Sequence, residues 1–105
     1  MKLKHSVSLT GIRPEIIIAI MAAMTVFNAL KEELILTSIR DGKHSQGSRH
    51  YIGLAIDIRI RHLSDEIAKL ARDNIKKALT NDFDIILESD HIHIEYDPRY
   101  KEYED

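Results

Sequence analysis

The sequence predicts one α+β domain, a mainly antiparallel sheet flanked by two helices, and three observations carry that prediction. An apolar run opening on a helix-start signature stands early in the chain. A segment of strict apolar–polar alternation lies near its middle, and two shorter alternating segments separated by two residues stand near its end. With 105 residues there is room for a single core of ordinary size, so residues 1–105 are read as one domain. Internal repeats, low-complexity tracts and interdomain linkers are not evident.

Each element follows from local chemistry. Residues 1–12 are polar and mixed, and Gly11 supplies a turn before Pro14, whose missing N–H is no loss in the first turn of a helix. A helix is expected from Pro14 to Glu33. Its Ile, Ala, Met, Val and Phe residues cover most of the circumference, which predicts burial on more than one side, with Met21 and Met24 in the core. Lys2 and Lys4 ahead of the Ile16–Leu30 run look at first like an export signal. Arg13-Pro14-Glu15 separates the two stretches, however, and the run is shorter than the roughly 20 residues of a membrane span, so a buried helix and no span are expected.

Leu34 to Arg40 reads as a strand with Leu34, Leu36, Ser38 and Arg40 on one side and Ile35, Thr37 and Ile39 on the other. Asp41 to Ser48 is Gly-, Ser- and charge-rich and reads as an exposed loop. Leu54 to Ile60 alternates, placing Leu54, Ile56, Ile58 and Ile60 on one face and Ala55, Asp57 and Arg59 on the other. Ser64 caps a second helix whose first turn carries Asp65 and Glu66, with Ile67, Leu70, Ala71, Ile75 and Ala78 as its apolar stripe. Phe83–Glu88 and His91–Tyr96 form a hairpin around Ser89-Asp90, and Asp97-Pro98 ends the last strand before the charged tail Tyr100 to Asp105.

Composition narrows the function classes. Hydrophobic residues at 44% and charged residues at 30% describe a globular protein and not a disordered one. A formal net charge of −2 supplies no long-range attraction to a polyanion, so no nucleic-acid partner is expected. The absence of cysteine removes disulfides and thiolate ligands, leaving His, Asp and Glu to hold any metal. Oligomeric state leaves no trace in the sequence.

One constellation carries chemistry. His50 precedes the Tyr51-Ile52-Gly53 bend, Asp57 lies on the polar face of the strand that follows, and His91 and His93 share one face of the last strand. A His, an Asp and a second His make a three-ligand zinc set with one open position, and the site would lie on the sheet. A two-residue turn pairs Glu88 with His91 and Ile86 with His93, which sets Glu88 on the histidine face as a general base and leaves Asp90 at the turn tip. The bland alternative for this set is a hydrogen-bonded polar cluster. His5, His44 and His62 read as solvated, Arg40 as either a substrate contact or half of a surface ion pair, and Ser48 as either a turn former or a polar contact to substrate.

Three stretches together resemble a known family. Ser48-Arg49-His50-Tyr51-Ile52-Gly53-Leu54-Ala55-Ile56-Asp57-Ile58 matches S-x-H-x-x-G-x-A-x-D-[IL], His91-Ile92-His93 matches a downstream H-x-H, and Thr37-Ser38-Ile39-Arg40 is similar to a T-S-x-x-R strand end, one residue shorter. These are features of zinc D-Ala-D-Ala carboxypeptidases and L-alanyl-D-glutamate endolysin peptidases, and the amino-terminal domain of sonic hedgehog shares the zinc arrangement. The resemblance spans about Thr37 to Glu95. It implies that His50, Asp57 and His93 bind zinc, that Arg40 binds substrate and polarises its carbonyl, and that His91 stands beside the metal as a catalytic or supporting histidine. Family spacing points to Asp90 as the acid, whereas hairpin parity favours Glu88. In a rival register Glu88-Ser89-Asp90-His91 is an E-x-x-H element with His91 as ligand, while His93-Ile94-Glu95 resembles the H-x-[ED] ending that favours His93.

The implied activity is hydrolysis of an amide bond next to a D-amino acid in peptidoglycan stem peptides, by carboxypeptidase or endolysin. The chain's small size resembles phage-encoded lytic enzymes, made in the cytoplasm of the host or bacterial cell and acting on the cell wall. The alternative is a catalytically inactive, zinc-stabilised binding module of the hedgehog type.

Overall fold

The computed structural model describes residues 1–40 and 54–98. Among these residues the fold is α+β, with two helices and a five-stranded mixed sheet. The elements are β1 (Lys2–Leu3), α1 (Pro14–Leu30), β2 (Ile35–Arg40), β3 (Leu54–Arg59), α2 (Asp65–Ala78), β4 (Phe83–Leu87) and β5 (His91–Tyr96). Across the sheet the order is β1-β2-β3-β5-β4. β1 runs parallel to β2, and the other neighbouring pairs are antiparallel. No helix among the described residues is long and apolar enough to cross a membrane.

β1 has no counterpart in the sequence reading, because two residues are too few to show alternation. It is fixed by backbone bonds, with the Lys2 N–H donating to Leu34 O and the Lys4 N–H to Leu36 O, both at 2.8 Å.

α1 starts at Pro14 as expected and buries Ile16, Ala19, Ile20, Ala23, Val26 and Phe27, a single stripe at three- and four-residue spacing. The expectation of burial on several sides is corrected here. Met21 is 61% exposed, Met24 39%, and Ile17 and Ile18 also face outward, because the core covers one stripe only. The helix also stops short of Glu33. Lys31 adopts the left-handed conformation at φ 60°, its N–H donates to Asn28 O, and the Glu32 N–H reaches back to Phe27 O, which satisfies the last carbonyls.

α2 begins where predicted, with Ser64 Oγ accepting the Ile67 N–H at 3.1 Å and Lys76 and Lys77 in its last turn. Its buried stripe is Ala68, Ala71 and Ile75. Leu70, 44% exposed, and Ala78 lie outside it, contrary to expectation.

β2 departs from simple alternation. Leu36 pairs with Ile58 and Ser38 with Asp57, so the register shifts between them at Thr37. The extra residue reverses the side-chain phase. Leu36 and Ile39 both pair with core isoleucines, and Ser38 moves to the Asp57 side, whereas strict alternation would have kept it with Leu36.

The core is built from the helix stripes and one face of the sheet, where Leu36, Ile56, Ile58, Ile92 and Ile94 are essentially inaccessible. Each such side chain contributes roughly 1.5–3 kcal/mol of burial. The opposite face of the two central strands is polar.

Candidate metal centre

The two central strands, β3 and β5, assemble the site by register. Asp57 pairs with His93, Arg59 with His91 and Ala55 with Glu95, and directly paired residues emerge on the same side of a sheet. Asp57, Arg59, His91, His93 and Glu95 therefore share the face opposite the isoleucines. Thr37 Oγ1 in the β2 bulge donates to Asp57 O at 3.4 Å and ties the adjoining strand to this row.

His93 lies between two acids. Its Nδ1 is 2.8 Å from Asp57 Oδ1 and its Nε2 is 3.1 Å from Glu95 Oε1. Ionised carboxylates only accept, so satisfying both contacts requires a proton on each ring nitrogen. Burial would lower the His93 pKa, but the hydrogen bonds to Glu95 and Asp57 outweigh it and hold the imidazole above its ordinary value. His91 has a different arrangement. Its Nδ1 is 2.7 Å from Asp90 Oδ1, and its Nε2 lies 3.7 Å from Asp57 Oδ1. The hydrogen bond to His91 is the main cause holding the Asp90 carboxyl below its usual range.

Asp57, His91 and His93 each offer a donor atom, and these atoms lie within 4.8 Å of one another. Tetrahedral zinc with bonds of roughly 2.0–2.1 Å to N and O holds its donors about 3.3 Å apart. The Asp57–His93 and Asp57–His91 separations of 2.8 and 3.7 Å bracket that spacing, so the donor set fits such an ion. Asp57 is also the one charged residue buried among the described residues, as a ligand carboxylate commonly is.

The remaining predicted site residues divide. His50 and Ser48 lie outside the described residues. Arg40 closes β2 with its backbone paired to Ala55, two residues from Asp57 along β3. The predicted hairpin pairing is present, with Ile86 opposite His93 and the Glu88 N–H donating to His91 O at 2.8 Å. Glu88 is exposed, and among the described residues its side chain has no hydrogen bond or ion pair. Asp90 is exposed between β4 and β5, and from there its carboxylate also meets His91 Nδ1 at 2.7 Å. His62 takes no part in the site and contacts Glu33 O at 2.8 Å.

Glu95 was missing from the predicted site residues, although period-two spacing from His93 signals it. Lys4 was also missed. It and Thr37 line a cavity of about 290 Å³ together with Asp57, Arg59, Arg61, Asp90 and His91. Nothing local in the sequence marks Lys4, since a parallel pairing across more than thirty residues brings it there.

Comparison with known proteins returns no matching family model, no matching curated protein and no matching solved structure.

Proposed function

We propose that this protein is a zinc-dependent peptidase that hydrolyses an amide bond next to a D-amino acid in peptidoglycan stem peptides. The observation supporting it is the convergence of Asp57, His91 and His93 on one face of the central strand pair. The order of Thr37–Arg40, Ser48–Ile58 and His91–His93 along the chain adds the resemblance to D-Ala-D-Ala carboxypeptidases and endolysin peptidases. Asp57 and His93 hold the ion, with His50 as third ligand. Zinc, when bound, polarises a carbonyl oxygen and acidifies water.

The chain supplies the proton handling. His91, oriented by Asp90 through Nδ1, turns Nε2 toward Asp57 and accepts the proton of the attacking water. As the C–N bond breaks, that proton passes to the leaving nitrogen, so one water is consumed and one amine and one carboxylic acid are released. Arg40 stabilises the charge that develops on the carbonyl oxygen. In this reading the protein is made in the cytoplasm of a phage-infected or bacterial cell and acts on the wall.

A second ligand set is favoured by the closeness of His91 Nε2 to Asp57. There His91 replaces His50, Asp90 braces the ligand as outer carboxylates commonly do, and Glu88 becomes the base of an E-x-x-H element.

Zinc content per chain decides between the two. Loss of stoichiometric zinc in His50→Ala with retention in His91→Ala supports the first set, and the reverse supports the second. Under the first set Asp90→Asn keeps its zinc and loses more turnover than Glu88→Gln, by roughly 100-fold. Under the second set it weakens zinc binding by roughly 10- to 100-fold. The activity itself is read as new amino termini released from purified peptidoglycan, abolished by chelation and restored by zinc. Full zinc occupancy without any such release would leave the hedgehog-type binding module as the better reading.

A further inference from the structure

α1 carries a second apolar stripe that the fold leaves uncovered. A helix lying on a core ordinarily turns charged and polar side chains to water. The outward positions of α1 hold no charge, because Glu15 is the one charged residue between Pro14 and Leu30 and it is half-buried. Ile17, Ile18, Met21 and Met24 are all exposed. Ile17, Met21, Met24 and Asn28 follow one another at spacings of four, three and four residues, the a and d rhythm of a helix seam. Exposure separates this stripe from the core stripe, which an all-apolar helix conceals in its sequence. Apolar side chains gathered on one outer face mark an interaction surface.

The charges at the two ends of the seam point to its occupant. Arg13 precedes the helix, and Lys31, Glu32 and Glu33 follow it. When two copies pair antiparallel about an axis midway between Met21 and Met24, Met21 faces the partner's Met24 and Ile17 faces the partner's Asn28. The same register brings Arg13 level with the partner's Glu32. Both groups are available, since Arg13 is 61% exposed with only a 3.8 Å contact to Glu15, and the Glu32 side chain has no ion pair among the described residues. A parallel pair would set Arg13 beside the partner's Arg13 and Glu32 beside the partner's Glu32, like charge against like. Next to Met24 lies a hollow of about 50 Å³, lined in part by Met1, Phe27, Asn28 and Leu34, which can admit the flexible end of the partner's Met21. An anionic bilayer suits this face less well. Such surfaces select a basic rim, and here the bases Arg13 and Lys31 stand among the acids Glu15, Glu32 and Glu33.

We infer that the outward face of α1 is a self-association surface, on which two copies of this chain pair along Ile17, Met21, Met24 and Asn28 as an antiparallel two-fold dimer. A strip about 25 Å long and about 10 Å wide is too small to bury the roughly 800 Å² per partner of a stable interface. The dimer therefore forms and dissociates with concentration, with Kd on the order of 10–100 µM. α1 packs on the isoleucine side of the sheet and the candidate metal centre lies on the other, so pairing leaves both sites open and is independent of the proposed reaction.

Analytical ultracentrifugation of the full chain from about 1 to about 500 µM should show monomer at the bottom of the range and dimer at the top. Met21→Lys sets two ammonium groups beside the axis and should weaken dimerisation by roughly ten-fold or more. In dilute solution, where the monomer prevails, the same variant should keep the wild-type circular dichroism spectrum and unfolding midpoint, because the fold itself leaves this face uncovered. Arg13→Glu and Glu32→Arg should each weaken the dimer several-fold, and the two together should restore it. The chain has no cysteine, so introduced thiols report the direction of pairing. Ile17→Cys mixed with Asn28→Cys should cross-link on oxidation, whereas Asn28→Cys alone should not, its two copies lying about 16 Å apart along the axis. A monomer across the whole range, or a dimer that Met21→Lys leaves intact, overturns the surface. Cross-linking of Asn28→Cys to itself in place of the mixed pair overturns the antiparallel register. Monomers that instead co-sediment with vesicles of phosphatidylglycerol and phosphatidylcholine, and lose that binding in Met21→Lys, assign the face to a bilayer and overturn the dimer.

Discussion

At the scale of single residues, the two acids around His93 set a pH dependence. A histidine whose folded pKa is raised binds its proton more tightly in the native state, so it contributes stability below the ordinary value of about 6.5 and loses it as pH rises through the raised value. The metal-free protein should therefore grow less stable toward unfolding by urea from about pH 6.5 upward, and His93→Gln should flatten that slope. Identical slopes in the two proteins would show that the Asp57–His93–Glu95 contacts do not hold the extra proton. A zinc ion bound as proposed would compete for the same nitrogens, so its binding should release protons and weaken as pH falls. Lys31 is a second residue with a measurable cost. At φ 60° it sits where glycine is most often found after a helix, and Lys31→Gly should raise stability by about 0.5–1 kcal/mol in thermal or chemical unfolding. A loss of stability would mean that the Lys31 side chain makes a contact worth more than the strain.

At the scale of elements, α1 separates two kinds of apolar residue that the sequence presents alike. Phe27 is 1% exposed and Met21 61%, so Phe27→Ala should cost about 3–5 kcal/mol, whereas Met21→Lys should change unfolding free energy by no more than about 0.5 kcal/mol. Comparable losses for both would place Met21 against an unrecognised surface. The same helix shows why its reading went astray. Composition reveals that a helix is apolar but not how many layers cover it, and only the i, i+3, i+4 set of Ile16, Ala19, Ile20, Ala23, Val26 and Phe27 finds partners. β3 and the β4–β5 hairpin were legible because Ile56, Ile58, Ile92 and Ile94 alternate with charged residues, and alternation fixes both the element and its polar face. That parity was enough to put Asp57, His91 and His93 on one surface. β2 was legible only in extent, since a bulge at Thr37 has no marker in Leu36-Thr37-Ser38 and reverses the phase of everything after it. Parity likewise placed the backbone of Glu88 opposite His91, but the rotation of Asp90 onto His91 depends on side-chain geometry that strand spacing does not encode.

At the scale of the whole molecule, the sheet order decides what the site can draw upon. The pair β3–β5 occupies the centre, β4 and α2 extend it through the local hairpin, and β2 and β1 close the far side through pairings between distant parts of the chain. Lys4 therefore reaches the cavity only through the parallel edge pairing, whereas the histidines come with the hairpin. The Asp57–His93 contact joins residues 36 apart in sequence, one on each central strand. This separation has a kinetic consequence. The hairpin and α2 are stretches of short-range contacts that form early in most folding reactions, while the β3–β5 pairing must first close a loop and so belongs among the slower events. An ion held by Asp57 and His93, as proposed, would stitch the two halves of the chain together only after that closure. Zinc should accordingly leave the refolding rate nearly constant and lengthen the native lifetime, with the whole gain in stability appearing in the unfolding limb of a denaturant chevron. Faster refolding at saturating zinc would mean instead that the strand pair and its ligands assemble before the main barrier.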